Sequence, residues 1–340
     1  MKKKNIINLI KFHVEHNDAS FRSEAYEVAK VFDVAGDSQL AQHIMALLSN
    51  VNTFVPQAQE DVSIFLQTVE LGRSPLPLPE SIAADIKGVV NAINRNIGIN
   101  KFLFQGAPGT GKTESVKQLS RILERELFMV DFDAIVDSRL GQTSKNVAQL
   151  FQEINDLTFP NKAIILFDEI DALALERTSP HDLREMGRAT SSVLKGLDRL
   201  NENVVLVATT NLYNSFDKAL SRRFDSVIDF NRYSREDLLD VAESLLKSNL
   251  DTGIDTRLLR KIIGGMETIP YPGDLKNLIK TSVAFSDISD KTDYLRRLYV
   301  AAYGEKPTDI RALHEQGFTI REIEILSGIS KSQVARGLKE

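Results

Sequence analysis

The sequence predicts an α/β fold: a parallel five-stranded sheet covered by helices on both faces, with further helical segments before and after it. Three observations carry this expectation. First, Lys101-Phe-Leu-Phe-Gln105, Leu127-Phe-Met-Val-Asp131, Ala163-Ile-Ile-Leu-Phe-Asp168, Val204-Val-Leu-Val-Ala-Thr209 and Ser226-Val-Ile-Asp-Phe230 are short apolar runs separated by stretches of helical periodicity. Near-continuous Val, Ile and Leu runs are what strands need when both faces of a sheet are buried. Second, Gly106-Ala107-Pro108-Gly109-Thr110-Gly111-Lys112-Thr113 follows the first run directly and fits G-x-x-x-x-G-K-[ST] at every fixed position. Third, polar residues gather just past the apolar runs, at the carboxyl edge where such sheets hold ligands.

The second observation also points to chemistry. Gly106, Gly109 and Gly111 let the backbone turn tightly enough for successive N–H groups to surround phosphates, and the helix opening near Lys112 aims its positive end at the same anion. Pro108 and Thr110 complete the loop. Lys112 supplies a point charge to the β- and γ-phosphates, and the Thr113 hydroxyl is a ligand for magnesium. The third strand runs into Asp168-Glu169-Ile170-Asp171. An acid at the end of a buried strand holds magnesium, usually through water, and the next carboxylate orients or deprotonates an attacking water. Asp168 and Glu169 are assigned those roles. Asn211, just beyond the fourth run, presents an amide to the same water and to the γ-phosphate.

Composition bounds the rest. A chain of 340 residues, 42% hydrophobic and 26% charged, is long enough for two or three domains. It has no cysteine, which removes disulfides and thiolate metal sites and fits a reducing, cytoplasmic setting. The basic start Met1-Lys-Lys-Lys4 is followed by an apolar stretch interrupted by Lys11, His13, Glu15 and His16, so no secretion signal or membrane span is expected. A net charge of −5 argues against a general nucleic-acid coat and confines any DNA contact to a local surface.

In chain order, residues 1–50 read as helices with a turn at 36–38, and His13 and His16 as packing or surface residues. Residues 51–80 read as a linker, because the prolines around 75–79 remove backbone donors. Residues 81–233 are expected to form the nucleotide-binding subdomain, 234–305 a helical lid and 306–340 a tail of three helices, over 309–315, 319–327 and 331–338, with a turn at 328–329. In the tail, Ile323, Leu326, Val334 and Leu338 face inward, and the pattern is similar to the helix-turn-helix of bacterial recombinases and regulators. Lys331, Ser332, Gln333 and Arg336 would face a DNA groove. Glu324 occupies a position where such motifs place a small residue, and the charges over residues 308–340 balance, five basic against five acidic. Duplex DNA through residues 319–340, a docked protein and a simple extension of the lid all remain open readings.

These motifs together resemble the AAA+ ATPases, specifically the AAA subgroup. Residues 106–113 resemble the Walker A motif, 164–171 the Walker B, 204–211 the sensor-1 strand and 217–225, Asp-Lys-Ala-Leu-Ser-Arg-Arg-Phe-Asp, the arginine-finger segment. Residues 144–151 are similar to the stretch after the first pore loop, and the resemblance spans about residues 80–285. It implies a P-loop AAA+ sheet with a helical lid, ATP and Mg2+ as cofactors, and hydrolysis between subunits of a ring homo-oligomer, commonly a hexamer. Arg222 and Arg223 are then implied to reach the neighbouring subunit's γ-phosphate. Two departures stand out. Ser138-Arg-Leu-Gly141 has Arg139 where protein-unfolding members carry an aromatic pore residue, and Tyr271-Pro-Gly-Asp-Leu-Lys276 lacks the arginine of a second sensor. The resemblance implies an ATPase that remodels a protein or nucleoprotein partner. The alternative, favoured by the helix-turn-helix-like tail and the missing pore aromatic, is an ATP-controlled DNA-binding switch; small bacterial AAA proteins of this style also resemble ATPases paired with subtilisin-like proteases in mobile-element or phage-defence loci.

Overall fold

The computed structural model describes residues 3–14, 18–34, 40–41, 44–45, 48, 65–71, 77–135, 142–171, 180–213, 218–250 and 254–339. The turn expected at 36–38, the pore segment at 138–141 and Asp217 lie outside them. The chain divides into two compact units, Met1–Val62 and Ser63–Glu340.

The first unit is built on a pair of helices, α1 (Lys3–Val14) and α2 (Asp18–Val34). Their polar tie is the Glu24 carboxylate, which accepts from Asn5 Nδ2 at 2.9 Å and Asn8 Nδ2 at 3.1 Å. His13 is exposed, and its ring lies tilted toward Phe21 with centroids 6.1 Å apart.

The second unit holds a sheet of six strands in the order β1-β3-β4-β5-β2-β6. β2 (Lys101–Gln105), β3 (Glu126–Val130), β4 (Ala163–Phe167), β5 (Val205–Thr210) and β6 (Ser226–Asp229) are the five expected strands, and all are parallel. The expected count of five is corrected by β1 (Leu66–Thr68), which adds an antiparallel edge against β3. It lies in the stretch read as a linker, and three residues are too few to show a period.

Alternation along the strands splits the core in two. Phe102, Phe104, Ile164, Leu166, Val205 and Val207 face α3 (Glu80–Arg95) and α4 (Lys112–Leu123), which bury Ile82, Ile86, Val89, Ile93, Val116 and Leu119. Leu103, Ile165, Phe167, Leu206 and Ala208 face the other way, toward α5 (Phe132–Ile135), α6 (Gln142–Asn155) and α7 (Pro180–Asp198). Every residue of β4 and β5 is buried, and each large apolar side chain so enclosed contributes about 1.5–3 kcal/mol at most. Two edge-on rings, Phe132 and Phe151, hold Phe167 at 5.7 Å each. α7 approaches α6 closely because residue 196 is glycine: a Cβ there would lie 2.1 Å from the Phe151 ring.

Beyond β6, α8 (Lys218–Ser221) having preceded it, come the lid helices α9 (Arg235–Asn249), α10 (Thr256–Gly264), α11 (Pro272–Ala284) and α12 (Asp293–Tyr303). α9 starts at a capping box, in which Ser234 and Asp237 satisfy one another's backbone N–H groups. The tail supplies α13 (Ile310–Glu315), α14 (Ile320–Ser327) and α15 (Lys331–Gly337). Ile323, Leu326 and Val334 are buried and Leu338 packs beside them, as expected. Their apolar core is continuous with that of the lid.

Candidate nucleotide-binding site

The loop between β2 and α4 forms the floor of a cavity of about 520 Å³, roofed by the lid. Gly109 and Gly111 have φ of +77° and +93°, left-handed values that a side chain resists, and they turn the chain into the start of α4 at Lys112. Thr110 is fully buried and its hydroxyl donates to Ala107 O at 2.8 Å, which closes the turn. Pro108, Gly109, Gly111, Lys112 and Thr113 all line the cavity.

Lys112 is 6% exposed, and burial lowers its pKa while Asp168, Glu169 and Asp171 oppose that shift. Its ammonium donates to Gly106 O at 2.7 Å, Ala107 O at 2.9 Å and Asn211 Oδ1 at 2.7 Å. A desolvated cation held by neutral oxygens at the mouth of a glycine loop is poised for phosphate oxygens, which make stronger, charge-assisted bonds.

Thr113 Oγ1 lies 2.9 Å from Asp168 Oδ1. One hydroxyl and one carboxylate oxygen at this separation suit a hard cation that keeps several waters and takes its remaining ligands from phosphate. Asp168 is steadied by Thr209 Oγ1 at 2.7 Å. The same Thr209 oxygen accepts the Glu169 N–H at 2.8 Å, which fixes Glu169 in a left-handed conformation, φ +52°. Such a conformation costs about 1–3 kcal/mol in a residue other than glycine. It brings the Glu169 carboxylate to Asn211 Nδ2 at 3.2 Å. Asn211 thus touches both Lys112 and Glu169, and its own N–H is fixed by Asp171 Oδ2 at 2.8 Å.

The structure therefore gathers Gly106, Pro108, Gly109, Thr110, Gly111, Lys112, Thr113, Asp168, Glu169 and Asn211 at the carboxyl edge of the sheet. Arg222 and Arg223 do not line this cavity. Arg223 is bound within its own chain, by Asp198 at 3.2 Å and Ala219 O at 3.3 Å. Arg222 is exposed, and among the described residues its side chain has no hydrogen bond or ion pair.

Sequence reasoning missed several contributors. Asn231 Oδ1 accepts from Ala107 N at 2.8 Å, and Tyr233 OH donates to Thr110 O at 3.0 Å. Burial beside Asp237 pushes the Tyr233 phenol up to about 12, so it remains a donor. Gly273 N donates to Gly109 O at 2.8 Å, and Lys276 and Lys280 of α11 line the cavity from the lid. The available signal was position: Asn231 and Tyr233 follow β6 as Asn211 follows β5.

Residues 102–232 match the family described as "ATPase family associated with various cellular activities (AAA)". The chain carries an AAA ATPase domain. It is 37% identical over 135 residues to the uncharacterized AAA family ATPase y4kL of Sinorhizobium fredii, covering 39% of each chain. It is 34% identical over 203 residues to ATPase family gene 2 protein homolog B of Mus musculus, covering 58% of this chain and 26% of that one. The chain thus matches well under half the length of either relative. A solved chain from the HORMA:CdnC:Trip13 complex of E. coli MS115-1 shares the fold, with a TM-score of 0.53 at 16% identity over 64% of this chain and 87% of that one. No helix among the described residues is long and apolar enough to cross a membrane.

Proposed function

We propose that this AAA ATPase binds ATP with Mg2+ and hydrolyses it at subunit interfaces of a ring homo-oligomer, commonly a hexamer, to remodel a protein or nucleoprotein partner. The observation that carries the reading is the linkage of Lys112, Thr113, Asp168, Glu169 and Asn211 by hydrogen bonds around one cavity. In it the loop amides and Lys112 hold the phosphates, and Thr113 and Asp168 hold the cation, which neutralises phosphate charge when bound. Glu169 accepts the proton of the attacking water, and Asn211 orients that water against the γ-phosphate. Arg222, with Arg223 beside it, supplies charge to the neighbouring subunit's site. The exposure of Arg222 and its place outside its own cavity support this. The solved chain of similar fold sits in a complex with other proteins, which is in keeping with a protein partner here.

Replacing Glu169 by Gln tests the reading, because the amide keeps the shape and cannot take a proton. Turnover is expected to fall by about 10²–10⁴-fold with ATP binding retained. Turnover near that of the unaltered chain would remove Glu169 from its role.

A second reading, the ATP-controlled DNA-binding switch, draws on the tail. Lys331, Ser332, Gln333 and Arg336 are all exposed on α15. Of the tail's acids, Asp309 caps α13, Glu322 is tied to Lys261, and Glu324 accepts the Lys331 N–H at 2.9 Å. The misfit at Glu324 is thereby explained: its carboxylate caps α15.

A further inference from the structure

We propose that Thr209 is a positioning residue for ATP hydrolysis in this cavity, setting both Asp168 and Glu169 through a single hydroxyl. This rests on the reading of the cavity as an ATP site and names a residue outside the loop, the acids and Asn211 on which turnover depends.

Strand pairing puts Thr209 in place. β4 and β5 run parallel with Phe167 opposite Ala208, so the next residue of β5 stands beside the acid that follows β4. Side chains alternate along a strand. Val207 and Thr209 therefore point to the side of α4, where Thr209 lines the cavity, and Thr210 points the other way. There the Thr210 hydroxyl serves Asp171 and the Leu212 N–H. Thr209 is 1% exposed, so its hydroxyl depends on protein partners.

Those partners belong to the two acids. The hydroxyl hydrogen goes to Asp168 Oδ1 at 2.7 Å, which leaves a lone pair for the Glu169 N–H at 2.8 Å. A hydroxyl has one hydrogen to give and lone pairs to accept with, so the two bonds fix its rotor and strengthen one another. Thr209 also offers its main-chain oxygen to the Ile170 N–H at 3.0 Å. These two N–H groups bracket the left-handed Glu169, φ +52°, and one residue holds both. A conformation of that cost persists only where its surroundings over-determine it. Of the two hydroxyls on Asp168 Oδ1, that of Thr113 is also read as a cation ligand. Thr209 is the donor with no second duty at the phosphates. Misplacing a catalytic group by an ångström costs up to about 10²-fold in rate.

Three variants of the chain test this. Thr209→Val keeps the shape and suits a strand but lacks the hydroxyl, whereas Thr209→Ser keeps the hydroxyl and drops the methyl. Thr209→Ala lacks both and crowds nothing. ATP hydrolysis is titrated in ATP and in Mg2+, binding is followed with a fluorescent ATP analogue, and thermal melts report folding. Thr209→Val should lower kcat about 10–100-fold and raise the Mg2+ needed for half-maximal rate, with the KM for ATP and the analogue affinity unchanged at saturating Mg2+. Thr209→Ser should recover most of the lost kcat, which a role in packing alone would not predict. Thr209→Ala should be slow in the same way, and it decides the matter if the valine variant does not fold. Unchanged kcat in a folded valine or alanine variant overturns the positioning role, as does a serine variant as slow as the valine one, or a raised KM with kcat kept. An unaltered chain that does not hydrolyse ATP overturns the proposed function and the positioning role together.

Discussion

At the scale of single residues, the carboxylates of this chain do different work because their surroundings differ. Glu169 is strained and aimed at Asn211. Glu322 is buried and paired far from the cavity. Burial raises the pKa of Glu322, but Lys261 and the Thr319 donors outweigh that and hold it below the usual carboxylate range. A carboxyl whose pKa is lowered on folding stabilises the native state above its ordinary pKa, and the contribution is lost as pH falls through the lowered value. Glu322→Gln is therefore expected to destabilise the lid and tail by about 1–3 kcal/mol at neutral pH and to flatten the acid limb of the stability curve. Thermal melts across pH 3–7 (about the carboxylate range and above) check both. An unchanged acid limb would show that the ion pair does not secure the tail.

At the scale of elements, close packing decides what each helix tolerates. Gly196 is where α7 meets the Phe151 ring, so Gly196→Ala should shift α7 or Phe151 and cost about 1–3 kcal/mol by overpacking, although alanine favours helix. Chemical denaturation measures this, and a neutral or stabilising result would contradict the tightness of the α6–α7 contact. The parallel strands were legible because burial on both faces writes continuous apolar runs into the sequence. β1 was not, since three residues on an edge carry no such run. Within the site, Lys112, Thr113, Asp168, Glu169 and Asn211 were legible because each sits at a fixed offset from a strand end. Gly273 and Lys276 were not, because they reach the loop only through the fold of the lid, and Asn231 and Tyr233 passed unread although they follow β6. Arg222 and Arg223 look alike in sequence, and in the structure the bonds of Arg223 to Asp198 and Ala219 O separate them.

At the scale of the whole molecule, the questions are what the tail touches and whether a single chain holds a complete site. If α15 enters a DNA groove, Lys331→Ala with Arg336→Ala should weaken duplex binding and reduce its salt slope by up to about two. Salt titrations measure this, and the inward core is untouched, so lost binding would reflect lost contacts. No affinity at low salt would end the DNA reading. The central claim, a catalytic site shared between subunits, is tested most directly by mixing two inactive proteins. Lys112→Ala subunits keep the arginines and lack phosphate binding, whereas Arg222→Ala with Arg223→Ala subunits keep the nucleotide site and lack an arginine effect of about 10³–10⁵-fold. Each alone should be close to inactive, and ATPase measurements on the mixture should show turnover restored at the mixed interfaces. A mixture as inactive as its parts, or an arginine-free protein with full activity alone, would contradict the shared site.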